Sequence, residues 1–125
     1  MKKIFVALGI ILIGLYFLYK PRYDDNSLKR MLLSDNKEDM INALLYAAKT
    51  KNTSMVKYIL REPFDARISH NISHYGQSVY QVKMLAMQKL TGVESNNPVN
   101  YIPDTAVVEF YVDVAVKRGW LIKPL

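Results

Sequence analysis

Sixteen consecutive uncharged residues, Ile4 to Tyr19 (IFVALGIILIGLYFLY), bound what the rest of this chain can be. Eleven of the sixteen are Leu, Ile, Val or Phe. At roughly 0.3–0.6 kcal/mol each, they favour membrane insertion by about 5 kcal/mol in total. As a helix rising ~1.5 Å per residue, the run reaches about 24 Å, short of a ~30 Å hydrocarbon core. Tyr16 and Tyr19 suit the headgroup layer at one end, and Lys3 and Lys20 can stretch their ammonium groups outward, which absorbs the deficit.

Two other uses of such a run fit less well. A cleaved signal peptide needs small residues after the apolar stretch, whereas Leu15 to Pro21 are bulky. A helix of a globular core carries a polar stripe, and this one has none. With no Cys in the chain, lipidation of a cysteine is excluded too. The expectation is an uncleaved signal anchor over residues 1–22, touching membrane lipid through residues 4–19. Its orientation is contested within the sequence. Lys2 and Lys3 precede the run, while Lys20, Arg22, Lys29 and Arg30 follow it, a count that keeps the remainder in the cytosol. A short basic tail before an apolar run is instead the usual export signal. Giving weight to the second, the expected location is a single pass of a bacterial inner membrane, with the following domain outside the cytoplasm.

Residues 23–125 are enough for one modest domain. The net charge of +6 is mostly a property of the anchor: four of the 17 Lys and Arg flank it, and the other 13 face 11 Asp and Glu. A domain at +2 gives no reason to expect nucleic acid as a partner, whereas the basic flanks suit anionic headgroups.

The domain reads as all-α. Pro21 breaks the anchor helix, and Ser27 or Asn26 can cap a short helix carrying Leu28, Met31, Leu32 and Leu33. Asn36 caps the clearest helix, with Glu38 and Asp39 in its first turn and Ile41, Leu44, Leu45 and Ala48 on one face. After the turn Asn52 to Ser54, a further helix places Val56, Ile59 and Leu60 together and ends at Glu62-Pro63. So short a connection makes the pair an antiparallel hairpin. Phe64 to Gly76 is a polar connection with one irregular helical turn. The next helix spans Gln77 to Leu90, with Val79, Val82, Leu85, Ala86 and Leu90 inward and Gly92 as its stop. Asp104 caps a last helix whose inner face is Val107, Phe110, Tyr111 and Val114. Gly119 ends it, and Trp120 and Leu121 fold back as a hydrophobic latch.

The segment 41-INALLYAAKTKNTSMVKYIL-60 resembles a helical-hairpin repeat. Ile41, Leu44 and Leu45 recur as Val82, Leu85 and Ala86, 41 residues on, a period within the HEAT range. Lys83, Ala86 and Gly92 in 78-SVYQVKMLAMQKLTG-92 resemble the second helical unit of bacterial HEAT-like repeat proteins, although Asn42 replaces the basic residue in the first unit. The stretch 41–60 also looks like one ankyrin unit, through Ala43-Leu44, Ala47-Ala48, Asn52 and Val56-Lys57, but no second unit follows at 33 residues. The HEAT-like resemblance implies a short α-hairpin solenoid that serves as a protein-interaction scaffold. It carries over no catalytic residue.

No nucleophile elbow or phosphate loop occurs, and no catalytic, metal or cofactor site is expected. His70 and His74, four apart, are expected to be solvated loop residues; as metal ligands they would instead make the chain a metal-dependent hydrolase. Asp24-Asp25 and Glu38-Asp39 read as linker and helix-cap acids. Tyr and Arg recur at binding hot spots, and the connection gathers Phe64, Arg67, Tyr75 and Tyr80 within seventeen residues. These four are the expected contacts to another protein. The function expected is a membrane-anchored, non-catalytic adaptor, with a lipid-surface binder as a further alternative.

Overall fold

The computed structural model describes residues 2–18 and 22–122. The roles expected of Tyr19, Lys20 and Pro21 lie outside the described residues. Helix α1, Lys2–Leu18, takes in the whole apolar run up to that point. From Phe5 to Leu15 its large apolar side chains stand 42–73% exposed, so no described residue covers them. Its 17 residues reach about 26 Å at ~1.5 Å each. Among the described residues no helix is long and apolar enough to cross a membrane.

The rest is helical, as expected: α2 (Asp25–Leu32), α3 (Lys37–Lys49), a 3₁₀ turn at Thr53–Met55 running into α4 (Val56–Ile59), α5 (Val79–Thr91) and α6 (Thr105–Lys117). The β-like feature among the described residues is an isolated antiparallel bridge between Ile68 and Ser78. Helix α2 begins earlier than the Ser27 or Asn26 cap allows. Asp24 sits in extended backbone and its carboxylate accepts from Ser27 N–H at 2.7 Å, so Asp25 falls in the first turn. There Asp25 takes a hydrogen bond from Asn52 Nδ2 at 2.8 Å, which draws the 51–54 turn onto α2. Asn36 caps α3 by accepting from Glu38 and Asp39 N–H, Ser78 caps α5 and Asp104 caps α6. Each cap satisfies amide donors that have no partner inside the helix.

Helix α3 packs chiefly on α5 and on α2, and α5 packs also on α6. That central position explains where the expected faces fall short. In α3, Met40, Ala43 and Ala47 join Ile41, Leu44 and Ala48 in the core, while Leu45 is exposed. In α5, Tyr80, Lys83, Met84, Met87 and Thr91 join the expected residues, while Leu85 is exposed. A helix pressed from two sides buries a band, not a stripe. Of the residue pairs 41 apart, Ile41 and Val82 are both buried, but Leu44 is inside where Leu85 is exposed, and Leu45 is exposed where Ala86 is inside.

The ends of α3 and α6 close in the same way. Asn52 N–H bonds Ala47 C=O and Lys51 N–H bonds Ala48 C=O; Trp120 N–H bonds Ala115 C=O and Gly119 N–H bonds Val116 C=O. Both are Schellman closures, which need a left-handed residue just past the helix. In α6 that residue is Gly119, at φ 75°. Trp120 and Leu121 then fold onto the core, as the latch requires, with the Arg118 guanidinium 5.1 Å from the Trp120 ring. In α3 the left-handed residue is Lys51, at φ 55°.

Candidate functional site

Two features rise above the helical frame: a braced connection between α4 and α5, and an apolar groove between α3 and α5.

The connection leaves and returns as a narrow antiparallel excursion. Tyr80 N–H bonds Asp65 C=O at 2.7 Å, Val79 N–H bonds Arg67 C=O at 2.9 Å and Ser69 N–H bonds Gln77 C=O at 2.9 Å. Gly76, at φ 80°, turns the chain so that its own N–H reaches Ser69 C=O. The 3₁₀ turn Ile72–His74 lies at the tip, the irregular turn that was expected there. The first turn of α3 braces it. Glu38 Oε1 accepts from Ser69 Oγ at 3.0 Å, Glu38 Oε2 pairs with His74 Nε2 at 2.8 Å, and Lys37 Nζ donates to Ile68 C=O at 2.9 Å. The hydrogen bond from His74 and then that from Ser69 hold the Glu38 carboxyl below its ordinary value.

His74 is therefore not a solvated loop residue. It is buried against Glu38, while His70 is exposed and lies 6.2 Å, ring to ring, from Tyr75. Among the described residues no group of three or more His, Cys, Asp or Glu is placed to hold a metal ion. Glu38, read from sequence as a cap acid, is the residue whose second role was missed. Its partners lie 31 and 36 residues away, a separation that carries no sequence signal.

The four expected partner contacts separate. Phe64 and Tyr75 are exposed, and Tyr75 stands with Ile72 on the tip at 71% and 95% exposure. Arg67 is exposed as well, with its guanidinium engaged within the chain. Its Nε and Nη2 hold the Asp65 carboxylate at 2.7–3.1 Å, and its Nη1 donates to Asp35 C=O at 2.6 Å. Burial works against the Asp65 charge, but the Arg67 hydrogen bonds outweigh it and keep that carboxyl low. Tyr80 is fully buried, so the structure corrects its assignment as a contact: it fills the interior where α5 is most enclosed.

The groove encloses about 610 Å³. Leu44, Leu45 and Ala48 of α3 form one wall and Val82, Leu85 and Ala86 of α5 the other. Lys51, Lys89 and Glu94 stand along its rim, where Lys51 Nζ also donates to Lys89 C=O. Leu45 and Leu85 are the exposed large apolar residues that line it, one on each helix. Lys51 holds its left-handed backbone at this rim, a conformation costly to a residue with a Cβ. Strained residues of this kind gather at functional sites. Spacing could not reveal the groove, because Leu45 and Leu85 fit the apolar periodicity of their helices and read as core.

No family model matches the chain, and neither a curated protein nor a solved structure matches it.

Proposed function

We propose that this chain is a membrane-tethered, non-catalytic adaptor that receives an amphipathic helix of another protein in the groove between α3 and α5. The observation that carries the reading is the groove itself: two apolar walls, an exposed leucine on each, and a predominantly basic rim. An inserting helix would set side chains at i, i+3, i+4 and i+7 against Leu45 and Leu85. Acidic residues on its flanks would meet Lys51 and Lys89, which gives the encounter its orientation. The helix would complete a layer that α3 and α5 leave open, as neighbouring units do in helical solenoids. The HEAT-like resemblance belongs to the same proposal, with α3 and α4 as one hairpin and α5 and α6 as the next.

The tether is α1. From Phe5 to Leu15 its large apolar side chains are exposed, and Lys2, Lys3, Lys20 and Arg22 flank it in the sequence. Tilt is not needed to fit it, because a short apolar helix is accommodated by thinning of the bilayer and by its flanking lysines. The proposed location is a single pass of a bacterial inner membrane with the helical domain outside the cytoplasm.

Leu85→Asp tests the groove. The position is exposed, so the domain keeps its helical circular dichroism. Photo-crosslinking from position 45 in native membranes captures a partner for the parent, and the measured affinity for that partner falls about thirtyfold in L85D, the loss expected of a ~2 kcal/mol hot spot. Binding of L85D within twofold of the parent would overturn the groove as the docking site.

A further inference from the structure

We propose that the small polar cavity between the end of α2 and the first half of α5 is a binding site for a phosphate-class oxyanion. The cavity encloses about 190 Å³ and is lined in part by Lys83, Arg61, Tyr58 and Ser34. A water's share of liquid volume is ~30 Å³, so the space takes one tetrahedral oxyanion with a few waters.

Lys83 carries the argument. It is 1% exposed, on a helix whose other buried side chains are apolar but for Thr91 and the Tyr80 hydroxyl. An ammonium has three protons to donate, and Lys83 Nζ places one, on Glu62 C=O at 2.8 Å. Among the described residues no carboxylate forms an ion pair with it. Asp65, the nearby candidate, is turned onto Arg67. Burial accordingly pushes the Lys83 ammonium below its ordinary value, with Asp65 and Glu62 only partly restoring it. A buried cation with a carbonyl for a partner is unfavourable until an anion joins it.

The surroundings suit that anion. Arg61 is exposed at the same cavity and makes no ion pair among the described residues. Ser34 Oγ accepts from Asn36 N–H at 3.1 Å, which leaves its own proton to donate. Asp35 and Glu62 also line the cavity, both exposed. Their charges oppose an anion, and Arg61, Arg67 and Lys83 offset them at the same cavity.

The oxyanion has two possible sources: free phosphate, or the phosphate monoester of a lipid headgroup. The second rests on the tether proposed above. Helix α2 starts three residues after Arg22 and exposes Lys29 and Arg30, so an inserted α1 would hold this end of the domain beside the headgroups.

The test uses the full chain in phosphate-free maltoside micelles. Inorganic phosphate and dihexanoyl phosphatidic acid are titrated separately, with calorimetry and the melting temperature as readouts. The expected result is saturable binding and a rise in melting temperature for the parent. Lys83→Met, of similar volume and without charge, weakens binding at least tenfold and no longer responds in melting temperature. Arg61→Gln, at an exposed position, weakens it severalfold and decides the matter should K83M fail to fold. Equal affinity for both probes assigns the site to free phosphate, and tenfold preference for phosphatidic acid assigns it to lipid. Absence of saturation for either probe up to about 10 mM, or binding by R61Q and K83M equal to the parent, overturns the site.

Discussion

Lys51 shows how much a single residue can disclose. Its left-handed backbone completes the same closure that Gly119 completes on α6, yet it bears a Cβ where glycine carries no such penalty. The conformation costs a non-glycine residue about 1–2 kcal/mol. Glycine gives part of that back through its freer unfolded chain, and the exposed hydrogen bond from Lys51 to Lys89 adds little. Lys51→Gly is therefore expected to raise stability by about 0.5–1 kcal/mol in urea denaturation. Partner binding should weaken at the same time, since the groove loses a rim cation. A variant that is neutral or less stable would remove the strain argument for the rim. Nothing in the order of residues around Lys51 marks it, because a lysine near a helix C-terminus is what the dipole favours anyway. Tyr80 and His74 misled for a related reason. Tyr80 read as a contact because tyrosine is enriched at binding hot spots, and His74 read as a solvated loop residue, but Tyr80 lies on the enclosed side of α5 and His74 is buried against Glu38, 36 residues away. Phe64 and Tyr75, read from the same pattern, do reach the surface.

Among the elements, the helices were largely legible and their sharing of faces was not. Asn36, Asp104 and Gly92 stop or start their helices where local chemistry places them. The second helix of the expected hairpin contracts to a 3₁₀ turn plus Val56–Ile59, with Leu60 buried just beyond it. The connection from Phe64 to Tyr80 was legible as a long polar break, but its bracing depends on a tertiary pairing. That brace should respond to acid. Glu38 has its carboxyl held below the ordinary 4.5, first by the hydrogen bond from His74. The folded chain then binds fewer protons than the unfolded chain between the two values, so stability rises with pH through that interval. The contribution is complete above 4.5 and fades as pH falls through the folded value. Glu38→Gln keeps the shape and removes the charge. Its deficit in melting temperature relative to the parent should shrink as pH falls below about 4.5. A deficit unchanged down to pH 3 would mean that the Glu38 charge does not brace the connection.

At the scale of the whole molecule, the helical domain buries its own core, whereas the large apolar side chains of α1 from Phe5 to Leu15 stand exposed. Two occupants differ in what they predict. A bilayer responds to the summed transfer free energy of the helix, while a second copy packed along α1 responds to whichever face it covers. The apolar residues of the run supply about 5 kcal/mol in favour of insertion, and one lysine at the helix centre costs about 2.5–3.5 kcal/mol. On the tether proposed above, Ile10→Lys alone should leave α1 inserted, with most of the protein retained in the membrane pellet after alkaline carbonate extraction. Adding Ile13→Lys brings the lysine cost to about 5–7 kcal/mol and removes the favourable contributions of both isoleucines, so the sum turns against insertion and the double variant should move to the supernatant. Ile10 and Ile13 are both exposed, so neither change disturbs the core of the helical domain. Loss of membrane retention in I10K alone, accompanied by a shift from dimer to monomer in micelles, would instead identify a second copy as the cover for α1.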